Sequence, residues 1–154
     1  MGKTFLATQV DLTKEIEIEE IEINMIALEP TVTSARTARR LVADFLHEYG
    51  VDFRATTVLL ASELVSNAVE HGGPHAPTAT IELKIDARHG CVRVEVSDAG
   101  QGEPLIRNSA VNVASGRGLL IVQELSSRWG CDRLPVGKTV WFEILTPSGG
   151  DLDG

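Results

Sequence analysis

The sequence has few cysteines, few basic residues relative to acidic ones, and no long apolar run. The two cysteines, Cys91 and Cys131, stand far apart and outside any C-x-x-C motif, which favours buried free thiols over a disulfide framework or a cysteine metal site. No stretch of about 18 consecutive apolar residues occurs, so no membrane-spanning helix is expected. The N-terminus does not have the pattern of a secretory signal peptide, and we therefore expect a cytoplasmic protein.

Basic residues are outnumbered, with 14 Lys and Arg against 22 Asp and Glu and a formal net charge of −8 at pH 7. Because contacts to phosphates of nucleic acids need Lys and Arg, this balance argues against direct nucleic-acid binding. Residues 1–30 hold seven of the acids and only two lysines. These acids could face a basic partner, or they could belong to a solvated, charged edge strand that resists pairing with another sheet.

The length of 154 residues and a hydrophobic fraction of 43% favour one domain with a real core. We assign that domain to 1–146 and expect a disordered tail over 147–154. Hydrophobic periodicity and turn residues predict the elements in turn: a strand over 15–28, bulged near Glu19 and Glu20, helices over 33–48 and 52–71, strands over 78–87 and 91–98, an irregular candidate lid over 103–115, a helix over 117–127, and strands over 129–134 and 138–146. This order predicts an α+β two-layer sandwich, with helices packed on one face of a mixed, mostly antiparallel sheet.

Glu63 and Asn67 lie one turn apart in the second predicted helix, and His71 lies one turn further on. Their stripe borders the apolar stripe that contains Leu60 and Leu64, so the polar side chains should be partly desolvated, which suits catalysis. Asn67 can offer an amide oxygen to Mg²⁺, and Glu63 could orient or deprotonate a nucleophile near a terminal phosphate. The same spacing is also compatible with an ordinary exposed polar helix face.

Asp98 ends the predicted strand over 91–98, on the face that its valines share. A buried carboxylate needs hydrogen-bond donors, and the exocyclic amine of adenine is one candidate. Gly100 and Gly102 would let the backbone turn sharply and approach a flat base closely. Asp98 could equally be part of an ordinary Asp-Gly turn, in which its carboxylate caps its own loop.

Ser115-Gly116-Arg117-Gly118 leads directly into an apolar helical segment that begins at Leu119. Free N–H groups at a helix start bind phosphate, and glycines permit its close approach, while Arg117 could add charge. The segment is not a Walker A loop, because the G-x-x-x-x-G-K-[ST] pattern is absent. The alternative is a Ser N-cap followed by flexible glycines.

Together and in this order, the three segments resemble the motifs of the GHKL superfamily of ATPases and kinases, which includes gyrase and the histidine kinases. The resemblance spans about 16–146. The matching segments are Glu63-x-x-x-Asn67, which looks like the N box, Asp98-x-Gly100-x-Gly102, which looks like the first glycine box, and Gly116-Arg117-Gly118-Leu119, which looks like the second.

Within the superfamily, the chain is most similar to bacterial anti-sigma-factor serine kinases. By this resemblance Asn67 would hold Mg²⁺, Glu63 would be the catalytic base and Asp98 would hold adenine, while the glycines would frame the nucleotide and Thr139 would lie near the adenine pocket. The segments that carry the closer resemblance are Ser34-Ala35-Arg36, Ser62-Glu63-Leu64-Val65-Ser66-Asn67-Ala68, Gly116-Arg117-Gly118-Leu119 and Gly137-Lys138-Thr139-Val140-Trp141-Phe142.

The resemblance implies an ATP-binding regulatory protein that phosphorylates a serine on an anti-anti-sigma partner and sequesters a sigma factor, often as a homodimer. The alternative is a non-catalytic module, in which ATP orders the lid and a partner reads that order. Glu63 argues for catalysis, since a pure sensor needs no base.

Overall fold

The computed structural model describes residues 2–9, 17–71, 80–88, 90–100 and 117–147, with side chains over 24–71, 80–88, 90–100 and 119–147. None of the helices in these ranges is both long and apolar enough to cross a membrane. In chain order the elements are β1 (Gly2–Gln9), β2 (Glu17–Leu28), α1 (Ser34–Phe45), α2 (Val51–His71), β3 (Ile81–Arg88), β4 (Cys91–Asp98), α3 (Arg117–Leu125), β5 (Arg128–Arg133) and β6 (Lys138–Leu145).

The strands form one sheet in the order β1-β2-β3-β4-β6-β5. Each pairing between described strands is antiparallel, so the sheet predicted as mixed and mostly antiparallel is antiparallel throughout this part of the chain. Helices α2 and α3 pack together, α1 packs on α2, and α2 contacts β3, β4 and β6. The predicted α+β two-layer sandwich is confirmed.

The hydrophobic core lies between the helices and one face of the sheet. Side chains alternate between the two faces along β4 and β6, so every second side chain enters this layer, as expected for strands that pack one face against helices. Two residues, 89 and 90, join β3 to β4, and Gly90 has a φ of +81°, which suits the predicted hairpin turn. Buried core side chains from the central elements include Leu60, Leu64 and Val65 of α2, Ile81, Leu83 and Ile85 of β3, Val92, Val94 and Val96 of β4, and Val140, Phe142 and Ile144 of β6.

The N-terminal part of the sheet differs from the sequence interpretation in three ways. An additional strand, β1, pairs with β2 in an unbroken register from Gly2 opposite Asn24 to Gln9 opposite Glu17. This register has no inserted residue, so the bulge predicted near Glu19 and Glu20 is wrong. Strand β2, with its many acids, is also not an edge strand, because β1 covers one side of it and β3 the other.

The sheet face opposite the helices carries charge pairs within β4 and between neighbouring strands. Arg93 donates to Glu95 and to Glu143, each at 2.8 Å, and Arg128 donates to Glu143 at 2.6 Å. The Arg93 guanidinium also lies 4.0 Å from the centre of the Trp141 ring, a cation–π contact. Burial alone would raise the pKa of Glu143, but donation from Arg128 and Arg93 outweighs it and lowers that pKa.

Candidate functional site

Glu63 lies on α2 at the border between the core and solvent. Its neighbours Leu60 and Leu64 are almost fully buried, and Glu63 itself is partly buried. Desolvation by this burial raises the pKa of the Glu63 carboxyl above its usual value of 4.5, and the charge of Arg39 on α1 opposes the rise. A raised pKa makes the carboxylate a stronger base once it is ionised. Arg39 was missed in the sequence because it acts across the packing of α1 on α2.

Asn67 follows Glu63 by one helical turn and has an unusual amide. Its Oδ1 atom is buried and has no hydrogen-bond partner among the described residues. Buried polar atoms are nearly always paired, so an unpaired oxygen calls for an explanation. Amide oxygens are suitable ligands for Mg²⁺, which takes few protein ligands and keeps water and phosphate oxygens. The chemistry of this oxygen therefore fits a metal ion, as the sequence pattern anticipates.

Asp98 ends β4 on the helix-facing side and is only 6% exposed. Its Oδ1 accepts a hydrogen bond from the backbone N–H of Gly100 at 2.7 Å, so the carboxylate does cap its own turn. The same Oδ1 accepts a second bond from Nζ of Lys138 at 3.2 Å. Neither bond uses Oδ2. The turn-capping alternative is thus realised in the structure, and no bond to Oδ2 is seen among the described residues.

Lys138 is the most important residue of this cluster that the sequence interpretation missed. It stands opposite Asp98 in the pairing of β4 with β6, and its side chain is 2% exposed. A signal was present, because Lys138 shares the alternation of Val140 and Phe142 and therefore falls on the core-facing side of β6.

Gly137 presses the turn between β5 and β6 against the end of β4. Its φ is +86°, and a Cβ atom placed on it would lie 1.9 Å from the carbonyl oxygen of Asp98 and 2.7 Å from Cα of Ala99. No side chain fits at such distances, so glycine is required both by its backbone conformation and by the contact. The sequence interpretation included Gly137 in a segment that carries the closer resemblance but predicted no contact between this glycine and the end of β4.

Thr139 lies on the other face of the sheet. Its hydroxyl is 2.7 Å from that of Ser97, the residue opposite it on β4. Because neighbouring residues of a strand point to opposite faces, Thr139 and Ser97 face away from Asp98 and Lys138. This placement points the Thr139 side chain away from Asp98, whereas the resemblance places Thr139 near the adenine pocket.

The third segment is described only from Arg117 onward, where α3 begins, so Gly102, Gly116 and the candidate lid over 103–115 lie outside the described residues. Gly118 lies in the first turn of the helix. Leu119 is 3% exposed and belongs to the hydrophobic core, so its side chain anchors the helix start. Since α3 packs on α2, the start of this helix belongs to the same packed unit as Glu63 and Asn67.

A family model and solved structures match this chain. A solved structure containing the RsbU and RsbW domains of Rv1364c from Mycobacterium tuberculosis is similar over 81% of this chain, with 27% identity and a TM-score of 0.64. The histidine kinase domain of the blue-light activated histidine kinase from Erythrobacter litoralis EL346 matches 59% of the chain, with 25% identity and a TM-score of 0.45. This chain spans 33% and 43% of the lengths of those two chains. The model of the histidine kinase-like ATPase domain matches residues 28–144, and the chain therefore belongs to that family.

Proposed function

We propose that this chain binds Mg²⁺-ATP and transfers a phosphoryl group to a serine of an anti-anti-sigma partner, as an anti-sigma factor kinase. Membership of the histidine kinase-like ATPase family supports ATP binding and a regulatory role. The observation that carries the mechanism is the pair on α2: a buried amide oxygen on Asn67 that has no hydrogen-bond partner among the described residues, one turn from a partly buried carboxyl on Glu63 with a raised pKa.

In this proposal the two α2 residues have different roles. Asn67 Oδ1 would hold Mg²⁺, which would supply positive charge to neutralise the phosphates. Glu63 would accept the proton of the attacking serine hydroxyl, and its partial burial makes it a better base than an exposed carboxylate. Asp98 would accept a hydrogen bond from the amine of adenine, while Gly100, Gly102, Gly116 and Gly118 would frame the nucleotide beside Arg117 and Leu119.

The kind of partner rests on similarity to the structure that contains an RsbW domain, which is of the anti-sigma-factor kinase type. A sigma factor and an anti-anti-sigma protein are therefore the proposed partners, and a homodimer is the proposed assembly. The basic side chains of Arg36, Arg39 and Arg40 are exposed along α1, which leaves this helix free to meet a protein surface.

The test combines binding with product identification. Tagged protein is used to capture partners with and without Mg²⁺-ATP, and phosphosites are mapped on whatever co-purifies. Asn67→Ala should lose the Mg²⁺-dependent part of ATP binding. Glu63→Gln should keep that binding but slow phosphoryl transfer roughly a hundredfold to ten-thousandfold, as expected when a general base is removed.

Glu70→Gln is the matched control, because Glu70 lies on the same helix with its side chain 48% exposed. Unchanged transfer in Glu63→Gln would remove Glu63 from the mechanism. Captured partners that bind only with ATP but carry no phosphate would instead favour the non-catalytic module.

A further inference from the structure

A buried ion pair lies beside the site proposed for adenine. The Lys138 and Asp98 side chains are 2% and 3% exposed, and their charged atoms are 3.2 Å apart. Burying two charges in a small domain is costly and stabilises the fold no better than well-packed apolar residues of similar volume. A pair of this kind therefore calls for a role beyond holding β4 to β6, which already pair along their whole lengths.

The surroundings of the pair restrict Asp98 in two ways. The Gly100 N–H and the Lys138 ammonium both donate to Oδ1, so the rotation of the carboxylate is set and Oδ2 points elsewhere. A carboxylate only accepts hydrogen bonds. The turn around Gly137 packs directly on the Asp98 carbonyl and holds the backbone of the same residue.

We propose that Lys138 is a positioning residue for base recognition, which holds Asp98 so that Oδ2 accepts from a 6-amino purine and rejects a 6-oxo purine. This inference rests on the proposed function, in which Asp98 meets the base. A 6-oxo group would set two acceptors face to face, so the orientation of the Asp98 carboxylate determines the choice. Lys138 acts through Asp98 and need not touch the nucleotide.

The experiment compares ATP with inosine triphosphate, which carries oxygen in place of the 6-amino group. Both are titrated calorimetrically into the unmodified full chain, Lys138→Met, Asp98→Asn and the double variant. The unmodified chain should bind ATP at least about tenfold tighter than inosine triphosphate, the size of one charge-assisted hydrogen bond. Lys138→Met should narrow this ratio to below about threefold, mainly through loss of ATP affinity, and should have little further effect in the Asp98→Asn background.

Lys84→Met is the matched control, because Lys84 lies on the opposite sheet face and pairs with Glu95 at 3.7 Å; its ratio should equal that of the unmodified chain. If Lys138 had a purely structural role, Lys138→Met would weaken the binding of ATP and of inosine triphosphate alike and keep the ratio of their affinities, which would overturn the inference. Tighter binding of inosine triphosphate by the unmodified chain would also overturn it, since Lys138 would then donate to the 6-oxo group.

Lys138→Met leaves Asp98 with one hydrogen-bond donor fewer, and this variant can fail to fold. Thermal unfolding of each variant without nucleotide detects such a failure, and Lys138→Gln, which keeps a hydrogen-bond donor, then replaces Lys138→Met. A ratio of ATP affinity to inosine triphosphate affinity in Lys138→Gln that is within about twofold of the unmodified value supports positioning only if the folded double variant has lost that ratio. A double variant that keeps the ratio overturns the inference. Failure of the unmodified chain to bind ATP would refute the proposed function itself, whereas ATP binding with an unchanged ratio in folded Lys138→Met refutes only the role of Lys138.

Discussion

Replacement of Gly137 by alanine should be far more damaging than its size suggests. Gly137 has a φ of +86°, and an added Cβ would lie 1.9 Å from the Asp98 carbonyl oxygen and 2.8 Å from the Asp98 carbonyl carbon. These atoms belong to the backbone of β4, which is paired on both sides, so they cannot move aside as a side-chain tip would. The turn or the end of β4 must therefore shift by more than about 1 Å to restore ordinary contact distances.

The expected loss of stability has two parts. A non-glycine residue in the left-handed region costs about 1–2 kcal/mol, and the forced displacement of packed backbone adds about 1–3 kcal/mol. The sum of roughly 2–5 kcal/mol should lower Tm by about 4–20 °C, since each kcal/mol shifts Tm by about 2–4 °C in a domain of this size.

Gly90→Ala isolates the first part, the cost of a non-glycine residue in the left-handed backbone conformation. Gly90 has nearly the same φ, +81°, but an added Cβ there meets nothing within 4 Å. Gly90→Ala should therefore lower the free energy of unfolding only by the backbone part, about 1–2 kcal/mol. Because Gly90 lies at the far end of β4 from Asp98, its replacement should also leave ATP affinity unchanged, whereas Gly137→Ala should weaken it.

Urea unfolding measures the loss of stability in both variants, and ATP titration measures their affinity for ATP. Equal losses of stability in Gly137→Ala and Gly90→Ala would show that the turn does not press on the end of β4. Unchanged ATP affinity in a destabilised Gly137→Ala variant would show that the position of Asp98 does not matter for binding.

Three further predictions concern single side chains. Asn67→Ala should leave Tm unchanged or raise it when no nucleotide is present, because it removes a buried oxygen that has no partner in the described part of the chain; a loss of stability above about 1 kcal/mol would mean that the amide is paired in solution. Glu63→Gln and Glu143→Gln should have opposite effects on stability at neutral pH. The raised pKa of Glu63 means that its contribution is full below about pH 4.5 and is lost as pH rises through the folded-state pKa, so the glutamine variant should be slightly more stable at pH 7, by less than about 1 kcal/mol. The lowered pKa of Glu143 means that its contribution is present above pH 4.5 and is lost as pH falls through the folded-state pKa, so Glu143→Gln should be less stable at pH 7 and match the unmodified chain in acid. Arg39→Ala should raise the pKa of Glu63 further, as followed by carboxyl NMR, and Arg40→Ala, also exposed on α1, should leave it in place; equal titration in both would exclude Arg39 as the opposing charge.

The sequence by itself determined the fold class and most element positions. Alternation along β4 placed Asp98 on the buried face, and helical spacing placed Glu63 and Asn67 on one stripe at the edge of the core. These patterns are local, because the period of an element determines which residues share a face whatever lies across from it. Strand β1 was not found, since its short segment has no clear alternation and is a strand through its pairing with β2.

Only the tertiary structure decided which groups meet. The ion pair of Asp98 with Lys138 depends on the register of β4 against β6, and the effect of Arg39 on Glu63 depends on how α1 packs on α2. The close approach of Gly137 to Asp98 likewise joins two turns that are far apart in the chain. Such contacts are set by the balance of packing across the whole core, so no single segment contains the information that specifies them.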